Sequence, residues 1–212
     1  MIYKIWHNLQ ISNRDNVQTE WVWPQDYHVD EYYSYNNTRM GNELSPIIKL
    51  PLFKLTKEAY HTDYLELSGV SSFMVVSERM FEKMTILKLP EISILDIEVS
   101  EKKYKAIHFN TDQTDSFIDW EESYFNVREN QKELENSEVK FLNSKDRNEK
   151  GRKLSDTSGG RKKYIVTKIK LRKLEFDLFY SRNPQLGIFC SQKFKNLIEY
   201  EGFLGFRFQK IV

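Results

Sequence analysis

The chain has 212 residues, with 32 Lys and Arg against 31 Asp and Glu, a formal net charge of +1. That balance excludes a globally basic nucleic-acid binder and an acidic decoy, so either activity would need a local patch. Eight glycines, a single cysteine and 14% aromatic residues argue against glycine-loop nucleotide sites and a disulfide framework, and for strands with packed aromatic faces.

Residues 2–11 alternate, with Tyr3, Ile5, His7, Leu9 and Ile11 on one side, which predicts a strand. Residues 12–46 are polar but carry Trp21, Trp23, Tyr27, Tyr32, Tyr33 and Tyr35, and read as irregular or short extended pieces pinned by aromatics. Pro46 and Pro51 bracket "IIKL" and limit regular structure there to a short extended segment or an edge strand. "LTKEAYHTDYLEL" is expected as a short helix or loop, and "FMVV" as a buried strand. Ser77 then caps a helix over "ERMFEKMTIL" with Met80, Phe81 and Met84 inward and Glu78 favourably placed in the first turn. "EISILDIEVS" and "KKYKAIHFN" alternate as two strands of a hairpin, Ser93, Leu95, Ile97 and Val99 facing the core.

Residues 128–163 hold few apolar positions and read as a charged, solvated and flexible insertion, "SDTSGGRKK" its most mobile part. "YIVTKIKL" follows as a half-buried strand, Asn183–Pro184 as a turn, and "GFRFQKIV" as a closing strand. "GIFCSQKF" repeats the phrase "FMVVSERM" 114 positions later (191 − 77), with Ser191 as the second cap and Cys190 as a buried small hydrophobe. The fold class expected is α+β: a strand-rich single domain over 1–212 with a few short helices and two similar helix–strand units.

No stretch assembles an active site. The four histidines are scattered without ligand spacing, "SGGRKK" lacks the phosphate-loop spacing, and no cofactor is expected. Asp112, Asp115, Asp119, Glu121 and Glu122 surround Trp120; they read as turn caps and solvated carboxylates, as an acid/base pair, or as an acidic, aromatic-centred contact patch for a basic partner. Trp21 and Trp23 read as packing anchors or as partner contacts. Ser77 and Ser191 have no histidine or acid partner at a recognisable spacing, so capping is expected of them. The basic 150–173 stretch offers an alternative, a nucleic-acid-binding protein of a mobile or defence locus. The N-terminus lacks a signal-peptide core and no window matches a membrane span, so a cytoplasmic location and no membrane partner are expected.

Three segments carry a resemblance. "HTDYLELSGVSSFMVVSERMFEKM", "YKAIHFNTDQTDSFIDWEESYF" and "FDLFYSRNPQLGIFCSQKFKNLIEYEGFLGFRF" resemble, in order and spacing, segments of the imm-eleven family of bacterial immunity proteins. They fall in 61–125 and in the C-terminal part, 164–212; residues 1–60 form a variable N-terminal part. Cys190-Ser191-Gln192 stands where Val-Ser-Glu is more usual in that family. The resemblance implies a cytoplasmic bacterial antitoxin that binds and blocks the cognate toxin domain of a polymorphic toxin or contact-dependent secretion system, without catalysis.

Overall fold

The computed structural model describes residues 1–7, 18–22, 39–50, 52–56, 59–65, 67, 73–173, 175–182 and 187–211. In chain order they form β1 (Ile2–His7), β2 (Thr19–Val22), β3 (Leu52–Leu55), β4 (Tyr64–Leu65), β5 (Met74–Ser77), α1 (Glu78–Lys83), β6 (Ile92–Val99), β7 (Lys102–Phe109), α2 (Thr114–Phe117), β8 (Tyr124–Glu129), β9 (Lys132–Glu133), α3 (Ser144–Thr157), β10 (Lys162–Lys168), β11 (Leu178–Ser181), β12 (Gly187–Ser191), α4 (Gln192–Glu201) and β13 (Phe206–Lys210). The class is α+β and strand-rich, as expected. No helix among the described residues is long and apolar enough to cross a membrane.

The chain groups into two compact units. The larger comprises 1–112, 175–181 and 187–212; the smaller comprises 113–174 and 182–186.

The larger unit holds two sheets, β2-β3-β6-β7-β5-β4 and β11-β12-β1-β13. The run β4-β5-β7-β6 and the run β11-β12-β1-β13 have the same antiparallel pairing throughout. The expected pair of similar helix–strand units is therefore present, and it is a duplication of a whole four-stranded element. β5 leads into α1 as β12 leads into α4, and β13 occupies the place of β6. The place of β7 is taken by β1, from the far end of the sequence.

The correspondence holds residue by residue at the 114-position offset (188 − 74). Met74, Val76, Met80, Met84 and Ile92 match Ile188, Cys190, Phe194, Ile198 and Phe206, and all belong to or pack against one core. Cys190 is fully buried in it, and desolvation pushes its thiol pKa well up, as expected of a packing residue.

β5 and β7 are buried on both faces. Val75, Tyr104 and Ala106 look into a second core with Leu44, Ile48, Phe53, Leu67 and Val99. That is why "FMVV" is a continuous apolar run where β6 alternates. The β6–β7 hairpin turns at Ser100 and Glu101, both at positive φ (45° and 67°), the signature of a tight two-residue turn whose twist matches the strands.

Two expectations are corrected. Tyr64–Leu65 is a strand on the edge of the larger sheet, where a short helix or loop was expected; pairing with Val75 and Val76 outweighs the local polar pattern. Residues 128–163 are built of the end of β8, β9, α3 and the start of β10, in place of a flexible insertion. α3 has no buried residue; it is set by its ends and its charges. The Asn143 side chain accepts from Asp146 N, and Asp146 pairs with Lys150 at 2.9 Å one turn on.

Gly205 shows how closely the duplicated elements approach. Its φ is +102°, and a Cβ there would lie 2.3 Å from the Tyr64 carbonyl oxygen. Gly202, the left-handed cap of α4 at φ +67°, has open space around it. Gly205→Ala is therefore expected to lower unfolding stability by about 3 kcal/mol, from strain and backbone collision together. Gly202→Ala is expected to cost about 1 kcal/mol, from conformation alone. Urea unfolding of both variants checks the contrast.

Candidate functional site

The two cap serines each have an acid partner, 14 positions upstream. The Ser77 hydroxyl accepts from Met80 N at 3.2 Å and donates to Asp63 Oδ1 at 2.7 Å. The Ser191 hydroxyl accepts from Phe194 N at 3.3 Å and donates to Asp177 Oδ1 at 2.8 Å. This corrects the expectation that neither serine has an acid partner. Capping itself is as expected.

The second oxygen of each carboxylate does different work. Asp63 Oδ2 accepts from Leu204 N at 3.0 Å, just beyond α4, and pairs with Arg79 at 3.2 Å. Asp177 Oδ2 accepts from Lys88 N at 3.0 Å, just beyond the turn that ends α1, and pairs with Lys193 at 3.3 Å. Backbone bonds close both rings: Tyr64 N donates to the Leu204 carbonyl at 3.0 Å, and Asp177 N to the Lys88 carbonyl at 2.7 Å. Each aspartate thus ties the start of its own helix to the end of the other helix. Lys193 Nζ also donates to the Ile86 carbonyl at 2.7 Å, and Lys83 pairs with Glu201 at 3.0 Å.

With its proton given to a carboxylate and one of its two lone pairs taken by an amide, each hydroxyl joins the aspartate to the helix cap. Burial pushes the Asp177 carboxyl up, but the Lys88 amide, the Ser191 hydroxyl and Lys193 together outweigh it and leave its pKa below the ordinary value.

The acidic stretch is divided. Asp112 belongs to the larger unit; Asp115, Asp119, Trp120, Glu121 and Glu122 belong to the smaller. Trp120 is 3% exposed, which corrects its reading as the centre of a contact patch. Its ring stacks on Phe125 at 5.9 Å, and its Nε1 donates to Asp115 Oδ1 at 2.9 Å. Asp115 also receives the Ser144 amide at 2.8 Å and hydroxyl at 2.7 Å, so it ties the start of α3 to the tryptophan. Asp119 accepts from Glu122 N at 3.4 Å and caps that turn. Glu121 and Glu122 remain exposed.

The basic stretch 150–173 spans the second half of α3, a turn, β10 and the segment after it. Lys150 is bound to Asp146 and lies 5.6 Å from the Phe141 ring; Lys162 pairs with Glu129 at 3.8 Å. Trp21 lies on β2, opposite Phe53 in register; Trp23 and the tyrosines at 27–35 lie outside the described residues, as does the Asn183–Pro184 turn. Among the described residues no group of three or more His, Cys, Asp or Glu side chains is placed to hold a metal ion.

Sequence reasoning missed Asp63 and Asp177. The signal was present: Asp, then Ser 14 positions on, then a basic residue two further, occurs at 63/77/79 and again at 177/191/193.

Ser77→Ala and Ser191→Ala are each expected to lower stability by about 1 kcal/mol. Asp177→Asn is expected to cost about 2 kcal/mol at pH 7, since it removes charge-assisted bonds. A depressed carboxylate pKa stabilises above the unfolded value and is lost as pH falls through the folded one. The deficit of Asp177→Asn should therefore be full near neutrality and fade below about pH 4, where the wild-type carboxyl protonates too. Thermal melts across that range check the sign. Compared with known proteins, the chain finds no matching family model, no matching curated protein and no matching solved structure.

Proposed function

We propose that this chain is an immunity protein: it binds the cognate toxin effector of a polymorphic toxin or contact-dependent secretion system and neutralises it by protein–protein contact, in the bacterial cytoplasm and without catalysis. One observation supports the reading above the others. Two of the three segments that resemble the imm-eleven family, "HTDYL…VSERM" and "FDLFYS…CSQKF", are the two copies of one structural device, the aspartate–serine clamp. The resemblance thus falls on residues that act together as a scaffold, and the partner surface belongs to what the scaffold displays.

Inhibition by contact needs exposed groups that are not already committed within the chain. In the acidic stretch, Trp120, Asp115 and Asp119 are committed within the chain, and the exposed Glu121 and Glu122 are offered to a basic partner.

The test is co-expression with the C-terminal domain of a large secreted protein encoded immediately upstream. Growth rescue and co-purification are expected. Glu121→Lys with Glu122→Lys should weaken capture by at least tenfold with thermal stability unchanged, charge reversal at a rim acting chiefly on association. Ser77→Ala, which lies in the scaffold, should leave capture intact. A toxic neighbour that is neither bound nor neutralised would overturn the reading.

A further inference from the structure

The smaller unit carries 16 basic and 11 acidic residues, a net charge of +5 (16 − 11), although the whole chain carries only +1. Its sheet, β10-β8-β9, has two unlike faces. One is covered: Phe125 and Tyr164 pack edge-on against Phe141, each at 4.9 Å, and α3 lays Arg147 over Phe125 and Lys150 over Phe141.

The other face follows from the register, since residues directly opposite each other on antiparallel strands share a face. Lys163 stands opposite Arg128, Ile165 opposite Asn126, and, past an irregularity at Thr167, Lys168 opposite Tyr124. Lys140 joins them from the segment before α3, held by the Glu121 carbonyl at 2.8 Å. The ammonium groups of Lys140 and Lys168 lie 4.3 and 5.4 Å from the centroid of the Tyr124 ring. Lys140, Lys163 and Lys168 are exposed, while Tyr124 and Ile165 are half-buried. Among the described residues, Lys163 and Lys168 form no ion pair. The Tyr124 hydroxyl first, and then Glu122 and Glu138, favour the charged form of Lys140; Glu133, opposite Arg128 in register and so on this same face, is bound to Asn126.

We propose that this open face binds single-stranded nucleic acid, with Arg128, Lys140, Lys163 and Lys168 along the phosphates and the Tyr124 ring stacking a base. The two features are needed together: cations alone fit any polyanion, whereas a ring at the centre of the basic row adds a flat surface that every base can use. A lysine held over a half-buried ring at the water's edge is bound no more tightly than a stacked base, so either ammonium can leave the ring for a phosphate. The proposal does not rest on toxin binding, although the two surfaces adjoin where Glu121 and Glu122 meet Lys140. It moves the basic site from the 150–173 stretch to a surface that draws Tyr124, Arg128 and Lys140 from outside it and leaves Lys150 and Lys162, both paired, on other faces.

Fluorescence anisotropy of a short labelled oligothymidylate with the full chain tests it. Four phosphate contacts predict binding that weakens about 50-fold between roughly 50 and 200 mM salt. Lys163→Glu with Lys168→Glu should weaken binding at least about tenfold and make the salt slope shallower by about 1.4. Tyr124→Leu should weaken it about tenfold with the slope unchanged, while Tyr124→Phe, which keeps the ring, should bind as the wild type does. Arg152→Glu with Lys153→Glu on α3, an equal change of charge elsewhere on the unit, should act only weakly; circular dichroism confirms that each variant is folded. The proposal is overturned if the wild type does not bind at the lower salt, if Tyr124→Leu binds normally, if the α3 pair weakens binding as much as the sheet pair, or if poly-L-glutamate displaces the oligonucleotide as readily as unlabelled oligothymidylate does, which would assign the face to an acidic protein.

Discussion

A carboxylate with two oxygens can hold two things at once, and the larger unit depends on that. Asp63 and Asp177 each use one oxygen on the serine that starts a helix and the other on the amide just past the end of the opposite helix. Helix ends carry amides and carbonyls without partners inside the helix, and burying them unsatisfied is costly. Here the amide beyond one helix is satisfied by the group that caps the other. Each helix is thereby fixed against its counterpart, and the two copies are cross-linked at both helix ends.

The core repeats the same logic in apolar form. Met80 and Phe194 are equivalent, as are Met84 and Ile198, yet each pair differs in shape. Two identical faces would meet like with like at the pseudo-symmetric centre; the exchange of flexible methionines for a ring and a branched chain lets the two halves interlock. Phe206 and Phe208 extend that packing along β13, where copy one has Ile92 and the exposed Ile94.

Local chemistry was legible in the sequence and tertiary chemistry was not. Ser77 and Ser191 announce caps because the cap, the first turn and the apolar positions lie within a few residues of one another. Their aspartates sit across a strand pair, at a distance no local pattern covers, and only the repeated offset of 14 betrays them. Trp120 was misplaced because five acidic neighbours made its surroundings look wet, whereas its nitrogen satisfies Asp115 and its ring lies on Phe125. α3 escaped notice because it has no apolar stripe at all; its evidence is an asparagine cap and an ion pair, signals that composition reads as disorder. Strands such as β6 and β13 were readable because one face is wet and the other dry, and β5 because both are dry.

The place of β1 has a consequence in time. Its neighbours in the sheet are Phe189–Ser191 on one side and Phe206–Lys210 on the other, some two hundred positions later in the chain. On a ribosome adding roughly 5–20 residues per second, β1 waits on the order of 10–40 s before either neighbour exists. Over that interval Ile2, Tyr3 and Ile5 have no sheet to join, while β5, β6 and β7 can already pair among themselves. The two copies, equal in architecture, are therefore unequal in history: one can assemble as it is made, and the other closes only when β1 meets β12 and β13.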